Sequence, residues 1–237
     1  MPPRIPSGKA WKLSDVRVPA AVLRCHATDV DDQAAAGIEA DEDGLVRVDL
    51  SVSEDGRLER IDVGNAREST EDAAAAGEGG RLCRSLERID GGGRIVMPTF
   101  VDVHTHVDKS HTCERSRNED GSLSGADKST CEDATYWTVE DVCRRIRFCL
   151  KCAYNHGTSA VRTHLISVQR QQRLIAWEAF RLMREEWRGR VELQGVALTL
   201  LTDWKIEGYG EEVAVMESIH SQTHVSARAR LCICVCV

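Results

Sequence analysis

The sequence predicts an α/β fold: the first three strands of a parallel (β/α) barrel, preceded by a small β-rich region. Three observations predict it. Residues 46–63 hold two short period-two apolar segments around a Gly turn. An apolar run over 96–103 ends in His104-Thr105-His106. After it, helical and strand periodicities alternate as far as residue 201.

The amino-terminal region, residues 1–94, reads as β-rich with low-complexity insertions. Residues 46–52 (VRVDLSV) alternate with period two, Glu54-Asp55-Gly56 turns the chain, and residues 57–63 (RLERIDV) return, which predicts a hairpin. Residues 31–37 and 71–80 are too polar and too rich in Ala and Gly to pack a core, so they are expected as loops.

The second region, residues 95–217, opens on strand one. Pro98 suits a strand entry, and the apolar residues after it predict a buried strand. Residues two apart on a strand point to one face, so His104 and His106 aim both imidazoles at a common point where the strand stops. Two imidazoles supply half of a tetrahedral site for zinc, iron, copper or nickel, and a catalytic site needs at least one further ligand and an open position. The same pair also fits two ordinary surface or capping histidines. The polar residues 107–137 read either as a lid or as a surface loop.

Thr138 followed by Asp141 resembles a capping box, and Val139, Val142, Ile146, Leu150 and Ala153 recur at helical spacing, which predicts a helix that Gly157 ends. Residues 158–166 are β-branched enough for a short strand. Ala176, Phe180, Met183 and Trp187 predict the next helix, and residues 191–201 a third strand. Single-helix crossovers between strands require parallel pairing. The carboxyl ends then share one face, which gathers His104, His106, His164 and residues 200–203.

Two segments resemble a known family. Residues 93–109 (GRIVMPTFVDVHTHVDK) look like the first barrel strand of the amidohydrolase superfamily of metal-dependent hydrolases, and residues 155–165 (NHGTSAVRTHL) are similar to the second strand of its cytosine deaminase-like branch. The resemblance spans residues 88 to 215 and implies a TIM-type barrel behind a small β-domain. It further implies one divalent metal ion, zinc or iron, held in part by His104 and His106, and hydrolytic deamination of a small-molecule substrate, a pyrimidine or related cyclic amidine, by metal-activated water. Asp108 would orient a histidine or cap the loop, and His164 would touch substrate or a ligand, or simply be a satisfied strand-end histidine. The family's aspartate after Arg-Thr-His is replaced by Leu165, and its third-strand glutamine by residues 198–204 (LTLLTDW), which weakens cytosine specificity. The family's acid/base residues and remaining ligands come from later strands. A chain of 237 residues is short of the about 250 that a barrel alone occupies, so activity is not expected from this portion by itself.

A net charge of −7 speaks against a nucleic-acid partner. No apolar run reaches the ~20 residues of a membrane span, and the first 15 residues lack a signal-peptide core, so a cytoplasmic protein is expected. The ten cysteines are mostly scattered, as reduced thiols would be. Cys149-x-x-Cys152 with His156 is either a zinc or redox motif or part of an amphipathic helix. Residues 218–237 form an atypical Cys-rich tail, read as a sticky strand or as sequence foreign to the family. Exposed strand edges in a part-barrel point to aggregation or a homo-oligomer. Beside the hydrolase stand two alternatives, a noncatalytic binding or oligomerisation module and a Cys-rich metal or redox protein.

Overall fold

The computed structural model describes residues 8–26, 39–64, 86–167, 170–200 and 204–221. The insertions at 31–37 and 71–80, residues 201–203 and all but the first four residues of the Cys-rich tail lie outside these. The chain divides into two compact units, the described residues up to Thr99 and those from Phe100 onward.

The first unit is built from β1 (Trp11–Pro19), the two-turn helix α1 (Ala20–His26), β2 (Leu45–Val52), β3 (Leu58–Val63) and β4 (Glu87–Ile95). The strands form one sheet in the order β3-β2-β1-β4, antiparallel except for the parallel β1–β4 pair. The expected hairpin is β2–β3, closed by the Ser53 amide on the Arg57 carbonyl at 2.8 Å and turned by Gly56 at φ +79°. Alternation places Trp11, Leu13, Val16 and Val18 in one core with Val46, Val48, Leu50 and Val52. Asp15, at φ +57°, sits in the β1 bulge, and its amide donates to the buried Asp49 carboxylate at 3.0 Å. Helix α1 was not foreseen in a region read as strands.

The second unit contains β5 (Phe100–Thr105), α2 (Leu123–Asp133), α3 (Val139–Asn155), β6 (Thr158–Ile166), α4 (Arg170–Glu186), β7 (Glu192–Leu198) and α5 (Tyr209–Ser221). The three strands lie in the order β5-β6-β7 and pair in parallel, as single-helix crossovers require. Thr138 caps α3 by accepting from the Asp141 amide at 3.1 Å, and Gly157 follows its end at φ +83°. Val142, Ile146 and Leu150 of α3 meet Ala176, Trp177, Phe180 and Met183 of α4 over Val161, Leu165 and Leu193. Gly195 leaves room for rings there: a Cβ would stand 3.0 Å from Phe180 and 3.1 Å from Trp177.

Four sequence expectations are corrected. Strand one begins at Phe100 rather than at the expected Pro98 entry, and Val96, at the head of the apolar run, belongs to the first unit: its amide bonds to the Arg17 carbonyl at 2.8 Å and its side chain joins that unit's core. That strand is exposed rather than buried: Phe100, Val101 and Val103 are 51, 61 and 65% accessible, since β5 is a sheet edge. Residues 107–137 are no open loop, for they hold a single 3-10 turn at Val107–Lys109, the helix α2 and a second 3-10 turn at Ala134–Tyr136. Helix α5 also continues past 217 to Ser221, where no helical rhythm was expected.

Candidate functional site

The carboxyl ends of β5 and β6 bring three histidines together. Thr105 pairs with Thr163 in the sheet register, so His104 and His106 flank the strand end opposite His164. Ring centroids lie 5.3 Å apart for His104 and His106, 4.1 Å for His104 and His164, and 5.8 Å for His106 and His164. His104 and His164 are stacked, with 24° between their ring planes.

The His106 Nδ1 lies 2.8 Å from the His164 carbonyl oxygen. A carbonyl can only accept, so Nδ1 carries a proton, and in the neutral ring Nε2 is the nitrogen with the lone pair. This is the arrangement that orients an imidazole ligand and leaves its other nitrogen for a metal. The adjacent Val107 amide donates to the Thr163 hydroxyl at 3.1 Å, inside the core. Burial first, then the neighbouring His104 and His106, push the His164 pKa down, so this third ring favours its neutral form.

Asp108 is fully buried, and its Oδ2 accepts from the Ile166 amide at 2.7 Å. The carboxylate therefore braces the end of β6. Burial pushes its carboxyl pKa up, against the lowering effect of that hydrogen bond.

A charged network fastens the chain to α3, and of its members the sequence singled out Asp108 and Asp141 but none of the arginines. Arg145, buried, donates to the Asp108 and Ser110 carbonyls, the latter at 3.1 Å, and to the Asp141 carboxylate at 3.0 Å. Arg115 bridges Asp133 and Asp141, with two bonds to Asp141 at 3.0 and 2.8 Å. Trp137 donates its indole N–H to Asp133 at 2.6 Å and lies under the Arg145 guanidinium. Of the two readings of residues 107–137, a loosely attached loop does not fit this anchorage. On the β6–β7 face, Arg162 donates two bonds to the Gln194 side-chain oxygen, at 3.1 and 3.0 Å.

Among the described residues no group of three or more His, Cys, Asp or Glu is arranged to hold a metal ion. The donor chemistry of His104 and His106, with the second ring oriented through Nδ1, fits two corners of such a site. Cys149, Cys152 and His156 belong to helix α3 and its cap: Cys149 lies 2.9 Å from the Ser110 hydroxyl, Cys152 is exposed, and His156 turns back to the Cys152 carbonyl. Cys143 is buried in the core, and burial pushes the Cys143 and Cys149 thiols up, away from the thiolate a metal or redox site needs. No helix among the described residues is long and apolar enough to cross a membrane.

In sequence, part of the chain is similar to a deaminase and to an amidohydrolase. Over 105 residues it is 48% identical to a pterin deaminase of Rhizobium rhizogenes, a match covering 44% of this chain and 24% of the relative. Over 116 residues it is 32% identical to an N-isopropylammelide isopropyl amidohydrolase of a Pseudomonas species, covering 47% of this chain and 28% of that one. The matches thus span about a quarter of each curated relative's length. In fold the chain resembles an N-isopropylammelide isopropylaminohydrolase from Burkholderia multivorans, at TM-score 0.56 and 22% identity over 90% of this chain and 43% of the other. It likewise resembles a 5-methylcytosine deaminase from Klebsiella pneumoniae, at TM-score 0.54 and 22% identity over 78% of this chain and 36% of the other. No protein-family model matches the chain.

Proposed function

We propose that the second unit supplies the first three strands of a TIM-type barrel in a metal-dependent hydrolase of non-peptide carbon–nitrogen bonds, belonging to the cytosine deaminase-like branch. The reaction is hydrolytic deamination of a small cyclic amidine, with a pterin or pyrimidine ring as the substrate class that the names of the relatives suggest. The observation that carries this reading is the His104–His106 pair at the carboxyl end of β5, with His106 held through Nδ1 so that Nε2 is left out of that bond.

His104 and His106 hold one divalent ion, zinc or iron, through their imidazole nitrogens. Bound there, the ion supplies Lewis acidity and lowers the pKa of water toward neutrality. The chain's own contribution is to orient and to exclude. The His164 carbonyl fixes the His106 tautomer, Asp108 ties the β5 exit to the end of β6, and Arg145 holds the Asp108 and Ser110 carbonyls against α3. Two imidazoles are too few for a closed catalytic site, so turnover requires donors and a proton-shuttling acid beyond the described residues.

Titration of the purified chain with zinc and with ferrous ion tests the reading. Saturable uptake of one ion per chain, lost in His104→Ala and in His106→Ala, is expected. Uptake that survives both substitutions refutes the assignment, and ammonia release from a pterin or cytosine by the His104→Ala variant of an active longer form refutes the mechanism.

A further inference from the structure

We infer that Thr163 is a positioning residue: its hydroxyl sets the backbone from which His106 projects and so selects the imidazole nitrogen offered to a metal. The inference rests on the metal-centre reading above and assigns a function to a side chain that touches neither substrate nor ion.

Four observations place it. Thr163 lies in the core with no measurable exposure, where a hydroxyl is retained only for a partner. That partner is the amide of Val107, the residue directly after His106, at 3.1 Å. His106 itself holds φ −133° and ψ 75°, outside the strand and helix wells, and no side chain caps the 3-10 turn that it begins. The β5–β6 register is irregular between Asp102 and Thr105, so the ladder does not by itself dictate where the chain goes next.

The hydroxyl does what the ladder leaves undone. Thr163 holds the amide on one side of the His106 side chain, while the carbonyl of the next residue, His164, takes the ring's Nδ1 proton at 2.8 Å. Both bonds run from consecutive residues of β6 to consecutive residues beyond β5, which makes a two-point clamp. Without the first bond the His106 backbone is free to relax toward a regular well, carrying the ring away from the His164 carbonyl. The Nδ1–H form then loses its preference, and the chain offers a mixture of tautomers.

The substitution Thr163→Val removes the acceptor at nearly constant volume, and Thr163→Ser keeps it. Nitrogen-15 NMR of the metal-free chain, at a pH where the ring is neutral, reads the His106 tautomer directly. Nδ1–H is expected in the unaltered chain and in Thr163→Ser, with a mixed population in Thr163→Val and a zinc affinity at least about tenfold weaker in that variant. If Thr163→Val does not fold, Thr163→Ala makes the same comparison with a smaller side chain. A merely structural role would lower stability and leave the tautomer unchanged in folded variants, and that result overturns the inference. An Nε2–H ring in the unaltered chain overturns it outright. A chain that shows the Nδ1–H ring and its loss in Thr163→Val, yet takes up no zinc, upholds the clamp and refutes the metal centre instead.

Discussion

Replacing Asp141 with Asn removes the charge at the centre of the network that fastens the chain to α3. Its carboxylate is almost wholly buried and receives bonds from Arg115 at 3.0 and 2.8 Å, from Arg144 at 2.7 Å and from Arg145 at 3.0 Å. The Arg115 hydrogen bonds, helped by Arg145 and opposed by burial, hold its pKa at about 2, against an ordinary value of 3.8. That difference corresponds to about 2 kcal/mol of folded-state stabilisation. Because the folded value lies below the unfolded one, the stabilisation is fully present above pH ~4 and drains away as pH falls toward 2. Loss of the charge at neutral pH costs more than that share, since the buried Arg145 guanidinium is left without its counter-charge; about 3 kcal/mol is expected. Urea unfolding followed by tryptophan fluorescence, from pH 7 to pH 2, measures both quantities. The unaltered chain loses stability between pH 4 and 2, while Asp141→Asn starts lower and has a flatter profile across that window. Equal pH slopes in the two proteins would show that Asp141 does not carry the acid sensitivity and would refute the argument.

Two glycines should resist the smallest possible enlargement. Gly195→Ala drives a methyl against the rings of Phe180 and Trp177, both locked in the core, and should cost about 1–3 kcal/mol in the second unit's urea transition. Gly91→Ala drives a Cβ into Val16 Cγ1 across the β1–β4 pair, so amide exchange should quicken along both strands while β6 and β7 keep their protection.

Much of the second unit is legible because its elements obey local rules. Thr138 and Gly157 bracket α3 as cap and terminator, residues 158–166 match β6 to the residue, and the spacing of Ala176, Phe180 and Met183 reports the buried face of α4. Helix α2 escapes such reasoning because it presents little apolar face: Leu123 is 81% exposed, and the helix is secured by the Ser122 cap and by Asp133 at its far end. The start of β5 was misplaced because Val96 is apolar for the first unit's sake, and apolarity alone does not name the core it serves. At the site, His104 and His106 are visible through their spacing of two. Their support is not, since Arg115 and Asp141 are 26 residues apart, Arg145 and Asp108 37, and no periodicity links such pairs.

The carbonyl that orients His106 belongs to a residue 58 positions later in the chain. A nascent polypeptide therefore carries its histidine pair long before it carries the means of aiming it. Until β6 has docked, nothing in the chain holds the His106 ring to one tautomer. The aim of His106 is thus a property acquired late, when the β5–β6 pair closes and the His164 carbonyl comes within reach of the ring.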